Sequence, residues 1–111
     1  TTYFLGHWVR EQKAMSLERA IQRITSEPAD FFGIKDRGRM AEGKAADIVV
    51  FDENQIASPL RPTPVKDLPA GGMRLYAKAQ GISQVVVNGT LLYENGKHTG
   101  AVPGRVLRSN T

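Results

Sequence analysis

The run Val85-Val86-Val87-Asn88-Gly89-Thr90-Leu91-Leu92-Tyr93 constrains this chain more than any other stretch. A β-branched run, Asn-Gly and a second apolar run specify a two-residue hairpin of type I′. Both central turn positions need positive φ, which Asn and Gly tolerate best. The turn pairs Val87 with Thr90, Val86 with Leu91 and Val85 with Leu92, so Val86 and Leu91 share one face and Val85 and Leu92 the other. Asn95-Gly96 repeats the signal. Ile48-Val49-Val50-Phe51 reads as a further strand, buried on both faces because the apolar run is continuous, and stopped by Asp52-Glu53-Asn54. Short strands are expected around Met40, between Gly38 and Gly43, and at Val106-Leu107. Residues 58–72 hold four of the six prolines and read as a loop with little regular pairing.

Ahead of these strands the period is helical. Phe4, Leu5, Trp8 and Met15 fall on one side at 3.6 residues per turn, opposite Arg10, Glu11 and Lys13. Gly6 within that helix costs about 1 kcal/mol against Ala, to be offset by packing of Phe4 and Trp8. Ser16 is placed to cap a second helix, with Glu18 in its first turn and Leu17, Ala20, Ile21 and Ile24 along one stripe. A third, short helix is expected to be capped by Ser26, take Pro28 in its first turn, use Phe31 and Phe32 as apolar bulk and stop at Gly33. The fold class is therefore α+β: N-terminal helices over 1–33, then a β-rich segment over 34–111 with about four strands in a small, mostly antiparallel sheet.

At 111 residues the chain is one domain's worth, able to bury about two-thirds of its unfolded surface. It begins at Thr1 rather than Met and is read as a piece of a longer protein. No run approaches a membrane span, so no membrane partner is expected. The lack of cysteine excludes disulfides and thiolate chemistry and fits a reducing compartment, hence a cytoplasmic location. Residues 1–55 carry 8 Lys/Arg against 9 Asp/Glu; residues 56–111 carry 7 against 2. The cations of the basic half are scattered, with no two adjacent, which argues for a solvated surface and against nucleic-acid binding.

Residue chemistry offers no active site. His7 and His98 lie 91 positions apart and neither has metal-ligand spacing. Gly38-Arg39-Met40-Ala41-Glu42-Gly43-Lys44-Ala45 nearly matches a phosphate loop, but Ala45 replaces the Ser/Thr and a strand follows where a helix should. Asn88-Gly89-Thr90 is formally a glycosylation acceptor, yet the hairpin explains it. Ser16, Ser26, Ser58, Ser83 and Ser109 sit in no nucleophile context. Asp47 beside the first strand is read as hydrogen-bonded to local backbone in preference to an acid or base.

Three stretches nevertheless resemble one family. Leu17-Glu18-Arg19-Ala20-Ile21-Gln22-Arg23-Ile24-Thr25-Ser26-Glu27-Pro28-Ala29, followed by Gly33, is similar to the last helical segment of metal-dependent amidohydrolases. Gly38 to Asp52 resembles their return strand into a small β-sandwich. Val85 to Gly89 with His98 to Arg108 resembles the C-terminus of the N-acyl-D-amino-acid deacylases, the D-aminoacylases; beyond these three, Tyr3 to Glu11 is similar to the stretch those enzymes carry just after their final barrel strand. The resemblance covers nearly all of the chain except residues 55–81. It implies a C-terminal segment of a zinc enzyme that hydrolyses the amide bond of N-acyl-D-amino acids, with residues 1–33 ending its barrel and 34–111 contributing to a composite β-sandwich. Zinc is expected in the parent and no cofactor in this segment. The resemblance carries no catalytic, cofactor-binding or metal residue onto any position here. Its implied partners are the parent's N-terminal barrel and sandwich strands. Strands with few partners to cover them also lead us to expect self-association. The alternative is a self-contained binding or oligomerisation module with a basic C-terminal half.

Overall fold

The computed structural model describes residues 1–108. The elements are an N-terminal π-type helix (Phe4–Glu11), α1 (Leu17–Ile24), α2 (Ser26–Phe31), β1 (Ile48–Phe51), β2 (Thr63–Val65), a 3₁₀ turn (Pro69–Gly71), β3 (Arg74–Tyr76), β4 (Ile82–Val87), β5 (Thr90–Glu94) and β6 (Lys97–His98). The chain divides into two compact units: residues 1–20 with 51–81, and residues 21–50 with 82 onward.

In the first unit the helix is wound wider than expected. The Gln12 N–H donates to the His7 carbonyl five residues back (2.9 Å). Its buried residues are Leu5, Gly6 and Val9: of the expected face of Phe4, Leu5, Trp8 and Met15 only Leu5 is buried, the helix stops at Glu11, and Trp8 is half exposed. Gly6 is the reason. A Cβ there would lie 2.6 Å from the Ile56 carbonyl oxygen, so the bare backbone lets residues 56–57 sit against the helix. Gly81 does the same from the other end of the segment: its added Cβ would fall 2.5 Å from the Ile56 nitrogen, at φ 79°. Ile56 is consequently 2% exposed. Arg10 donates to the carbonyls of Glu53 (3.2 Å) and Ile56 (2.6 Å), fixing the turn after β1. That turn is initiated as expected by Asp52, whose carboxylate accepts the Asn54 N–H at 2.8 Å.

The expected unpaired loop is partly a ribbon. β2 and β3 pair antiparallel, Thr63 with Tyr76 and Val65 with Arg74. Pro64 sits within it because a two-stranded ribbon has an outer edge on which a missing N–H costs nothing. Arg74 grips Asp67 with two hydrogen bonds (2.8 and 2.6 Å) across the intervening turn.

α1 starts as expected, with the Ser16 hydroxyl accepting the Arg19 N–H at 3.2 Å. In the second unit, Thr25 rather than Ser26 precedes α2, and it makes no side-chain cap; its hydroxyl is turned back to the Ile21 carbonyl (2.6 Å). α2 closes as Gly33 foresaw: Ile34 N–H bonds to the Ala29 carbonyl and Gly33 N–H to that of Asp30, a Schellman stop. Phe31 and Phe32, however, pack only edge-on to each other (5.0 Å) and stand 83% and 73% exposed.

The four-stranded sheet runs β1-β4-β5-β6. β1 is antiparallel to β4, since the Val50 carbonyl meets the Ser83 hydroxyl and the Ala46 carbonyl meets the Gly89 N–H. The Asn-Gly turn forms as expected, pairing Val87 with Thr90 and Val86 with Leu91. The next pair differs: Val85 faces Tyr93, and Leu92 bulges out. Thr99 holds the bulge, its N–H donating to the Leu92 carbonyl (2.9 Å) and its hydroxyl to the Leu91 carbonyl (2.7 Å). Asn95-Gly96 turns β5 into β6, opposing Tyr93 to His98. Three strand expectations are corrected. Residues around Met40 form turns, with Arg39 drawn onto Asp30 and no strand alongside. Val106 and Leu107 pair with nothing among the described residues. β1 occupies the expected residues, but Val49 and Val50 are 49% and 45% exposed, because no layer among the described residues covers them.

Candidate functional site

The densest polar constellation lies where the hairpin turn meets the loop before β1. Arg37 stands at its centre. Its Nε lies 2.8 Å from an Asp47 oxygen, one terminal nitrogen donates to Asp36 (2.7 Å) and the other to the Asn88 side-chain oxygen (2.5 Å). Asp47's second oxygen accepts the Asn88 backbone N–H (2.8 Å), and the Asn88 amide nitrogen donates to the Pro103 carbonyl (2.8 Å). The Arg37 side chain is only 17% exposed, so these charge-assisted bonds are poorly screened and bind the turn tightly. Every group points at a partner, and none is poised to take or give a proton to a ligand. Asp47 is thus a backbone acceptor, as expected, but for an amide 41 residues on rather than a local one.

The other candidates do not converge. His7 bonds through Nδ1 to Glu11 (3.0 Å) and stacks on Tyr3. His98 accepts the Gly100 N–H on Nδ1 (2.9 Å) and meets the Tyr93 ring edge-on. The 38–45 stretch is two glycine turns with β1 after it, and the Lys44 ammonium donates to the Lys35 carbonyl instead of facing a phosphate space. Asn88 is consumed by the turn. Ser16 caps α1 and Ser83 bonds across to β1, while Ser109 lies outside the described residues. Among the described residues no three of His, Cys, Asp and Glu gather into a group that could hold a metal. No described helix is long and apolar enough to cross a membrane.

The amidohydrolase family model matches residues 1–93. The chain is 38% identical to an N-acyl-D-glutamate deacylase of Alcaligenes xylosoxydans xylosoxydans over 107 residues, covering 96% of itself and 20% of that enzyme. It is 35% identical to a D-aminoacylase of the same organism, over 93% of itself and 19% of the relative. The crystal structure of the N-acyl-D-glutamate deacylase from Bordetella bronchiseptica, complexed with zinc and a phosphonate inhibitor, superimposes with a TM-score of 0.72 at 36% identity, over 97% of this chain and 20% of that one. The chain belongs to the amidohydrolase family. It spans about a fifth of the length of the relatives it matches.

What this amidohydrolase chain does present is uncovered apolar surface. In the second unit Phe31, Phe32, Met40, Val49, Val50 and Tyr93 all stand more than 40% exposed, while Ala29 is that unit's one buried hydrophobic residue among those described. Sequence reasoning missed this for Phe31 and Phe32, since periodicity names an apolar face without naming what covers it. It also missed Arg37, which in Lys35-Asp36-Arg37 reads as an ordinary solvated charge run.

Proposed function

We propose that the chain is the C-terminal, non-catalytic portion of a zinc-dependent amidohydrolase that hydrolyses the amide bond of N-acyl-D-amino acids. The observation that carries this reading is the near-complete match of the chain to one fifth of an N-acyl-D-glutamate deacylase. The zinc named for the Bordetella enzyme supports a metal in the parent. In this reading all its ligands come from the rest of the parent, and no chemical step runs through this chain. Their part is to hold shape. The helices of 1–33 end the barrel, and residues 34–111 supply strands to a composite β-sandwich. The missing N-terminal barrel and sandwich strands would cover Phe31, Phe32, Val49 and Val50; without them the isolated chain associates with itself. A cytoplasmic location belongs to the same proposal, consistent with the absence of cysteine.

The test is to express the chain alone and, beside it, the full reading frame that contains it, then measure zinc content and hydrolysis of N-acetyl-D-glutamate and N-acetyl-D-methionine. Activity and zinc confined to the longer product are expected. Zinc-dependent turnover by the 111-residue chain alone would overturn the non-catalytic assignment. A reading frame that opens at this chain and binds no zinc would leave a self-contained binding or oligomerisation module.

A further inference from the structure

Two turns in this chain share one dipeptide and one backbone, yet differ in every contact that governs a single reaction. Asn88-Gly89 has φ values of 47° and 77°, and Asn95-Gly96 has 49° and 78°. At the first, the Asn88 side chain is bonded at both ends, its oxygen by Arg37 and its nitrogen to the Pro103 carbonyl, and the Gly89 N–H donates to the Ala46 carbonyl at 3.0 Å. At the second, Asn95 and Gly96 are both exposed. The Asn95 backbone N–H is held by the Ser83 carbonyl (2.7 Å). Among the described residues nothing bonds the Asn95 side chain, and no carbonyl accepts the Gly96 N–H.

From this contrast we propose that Asn95 is a site of spontaneous deamidation and isoaspartate formation, and that the polar cluster around Asn88 protects the other Asn-Gly turn. The Gly96 nitrogen attacks the Asn95 side-chain carbonyl carbon, and the C–Nδ2 bond breaks. Ammonia leaves, taking up the proton from the Gly96 nitrogen, and a five-membered succinimide remains. Water then opens the ring at one carbonyl to give an ordinary aspartyl residue, or at the other to give an isoaspartyl linkage. No oxidant or other co-reactant is needed. Glycine following the asparagine makes the approach sterically open. At Asn88 the same attack must break the Gly89–Ala46 bond and swing the side chain off Arg37 and Pro103. Arg37 does polarise the Asn88 carbonyl, which by itself favours attack, but the attacking nitrogen is engaged elsewhere. The isoaspartyl product adds a methylene to the main chain inside a two-residue turn, so it also unpairs Glu94 from Lys97 and releases β6 from β5.

The experiment uses the protein as its gene expresses it, incubated in mildly alkaline buffer, with a parallel sample in concentrated urea. Peptide mapping by mass spectrometry follows replacement of the side-chain NH₂ by OH at each asparagine, and electron-transfer fragmentation separates aspartate from isoaspartate. In the folded sample Asn95 should convert at least about tenfold faster than Asn88, the effect of one hydrogen bond that must first be broken. In urea the two rates should converge to within a few-fold, because both sites are Asn-Gly dipeptides and only the flanking residues differ. Equal conversion in the folded protein, faster conversion at Asn88, or a folded Asn95 that stays intact while the unfolded one reacts would each overturn the proposal.

Discussion

The two units of this chain are held together in different ways. In residues 1–20 with 51–81, glycine lets backbone press on backbone: Gly6 and Gly81 both close on Ile56, and Leu5, Val9 and Ile56 are buried. In residues 21–50 with 82 onward, Ala29 is the sole buried hydrophobic among those described, and the hairpin is secured instead by Arg37, Asp47 and Asn88. The first unit has a small core of its own, although Leu60, Met73 and Leu75 there are 92%, 60% and 69% exposed. The second has a defined sheet whose apolar faces are still open, which is how a part of a larger core looks before the rest is laid upon it. Strand pairing and polar clips can fix geometry without burial, but apolar faces leave water only against another layer.

The sharpest way to break this comparison is to fill the close approach. Gly81→Ala adds a Cβ 2.5 Å from the Ile56 nitrogen at φ 79°, and should destabilise by roughly 3 kcal/mol, read as a lower denaturant midpoint. The corresponding lesion in the second unit is polar. Arg37→Ala strands the Asn88 oxygen and leaves Asp47 with only the Asn88 N–H, for about 2 kcal/mol, and should be accompanied by loss of the Asn88 turn signals in NMR.

Sequence reading reached the parts of this fold that local chemistry decides. Asn88-Gly89, Asn95-Gly96, the Ser16 cap and the Gly33 stop each carry their geometry in one or two residues. It failed where the deciding partner was distant. Gly6 reads as a cost in a helix until Ile56 is seen against it, 50 residues away. The Leu92 bulge depends on Thr99, and the β2–β3 ribbon on an outer edge that makes Pro64 harmless. The expected burial of β1 followed from its apolar run, and the strand is there, but nothing among the described residues covers Val49 and Val50. Of the candidate site, Asp47 was legible as a backbone acceptor, while Arg37 gave no signal at all.

Smaller effects sharpen the contrast. Phe31→Ser and Phe32→Ser should change the stability of the isolated chain by less than ~0.5 kcal/mol, since both rings face solvent, but should cost over ~1 kcal/mol in the longer polypeptide if it covers them. Equal, negligible costs in both would remove the reason to call the second unit unfinished. The smallest effect is electrostatic and common to the two units. Arg39 bonds the Asp30 carboxylate, and Arg74 that of Asp67, and each guanidinium holds its carboxyl below the usual aspartate range. A carboxyl lowered in the folded state stabilises above its unfolded pKa and loses that contribution as pH falls through the folded one. Both pairs should therefore weaken together in acid, below the ordinary aspartate range. Because both are exposed the change is slight. Carboxyl carbon shifts followed by NMR should show Asp30 returning upward to its ordinary pKa in Arg39→Ala.

The central claim is that the open faces of the second unit are completed by polypeptide outside this chain. Hydroxyl-radical footprinting reads it directly, by comparing oxidation of Phe31, Phe32 and Tyr93 in the chain alone and in the full reading frame. The account predicts ready oxidation of all three rings in a dilute solution of the chain alone and protection of Phe31 and Phe32 in the longer protein. Equal oxidation of those two phenylalanines in both samples would contradict it.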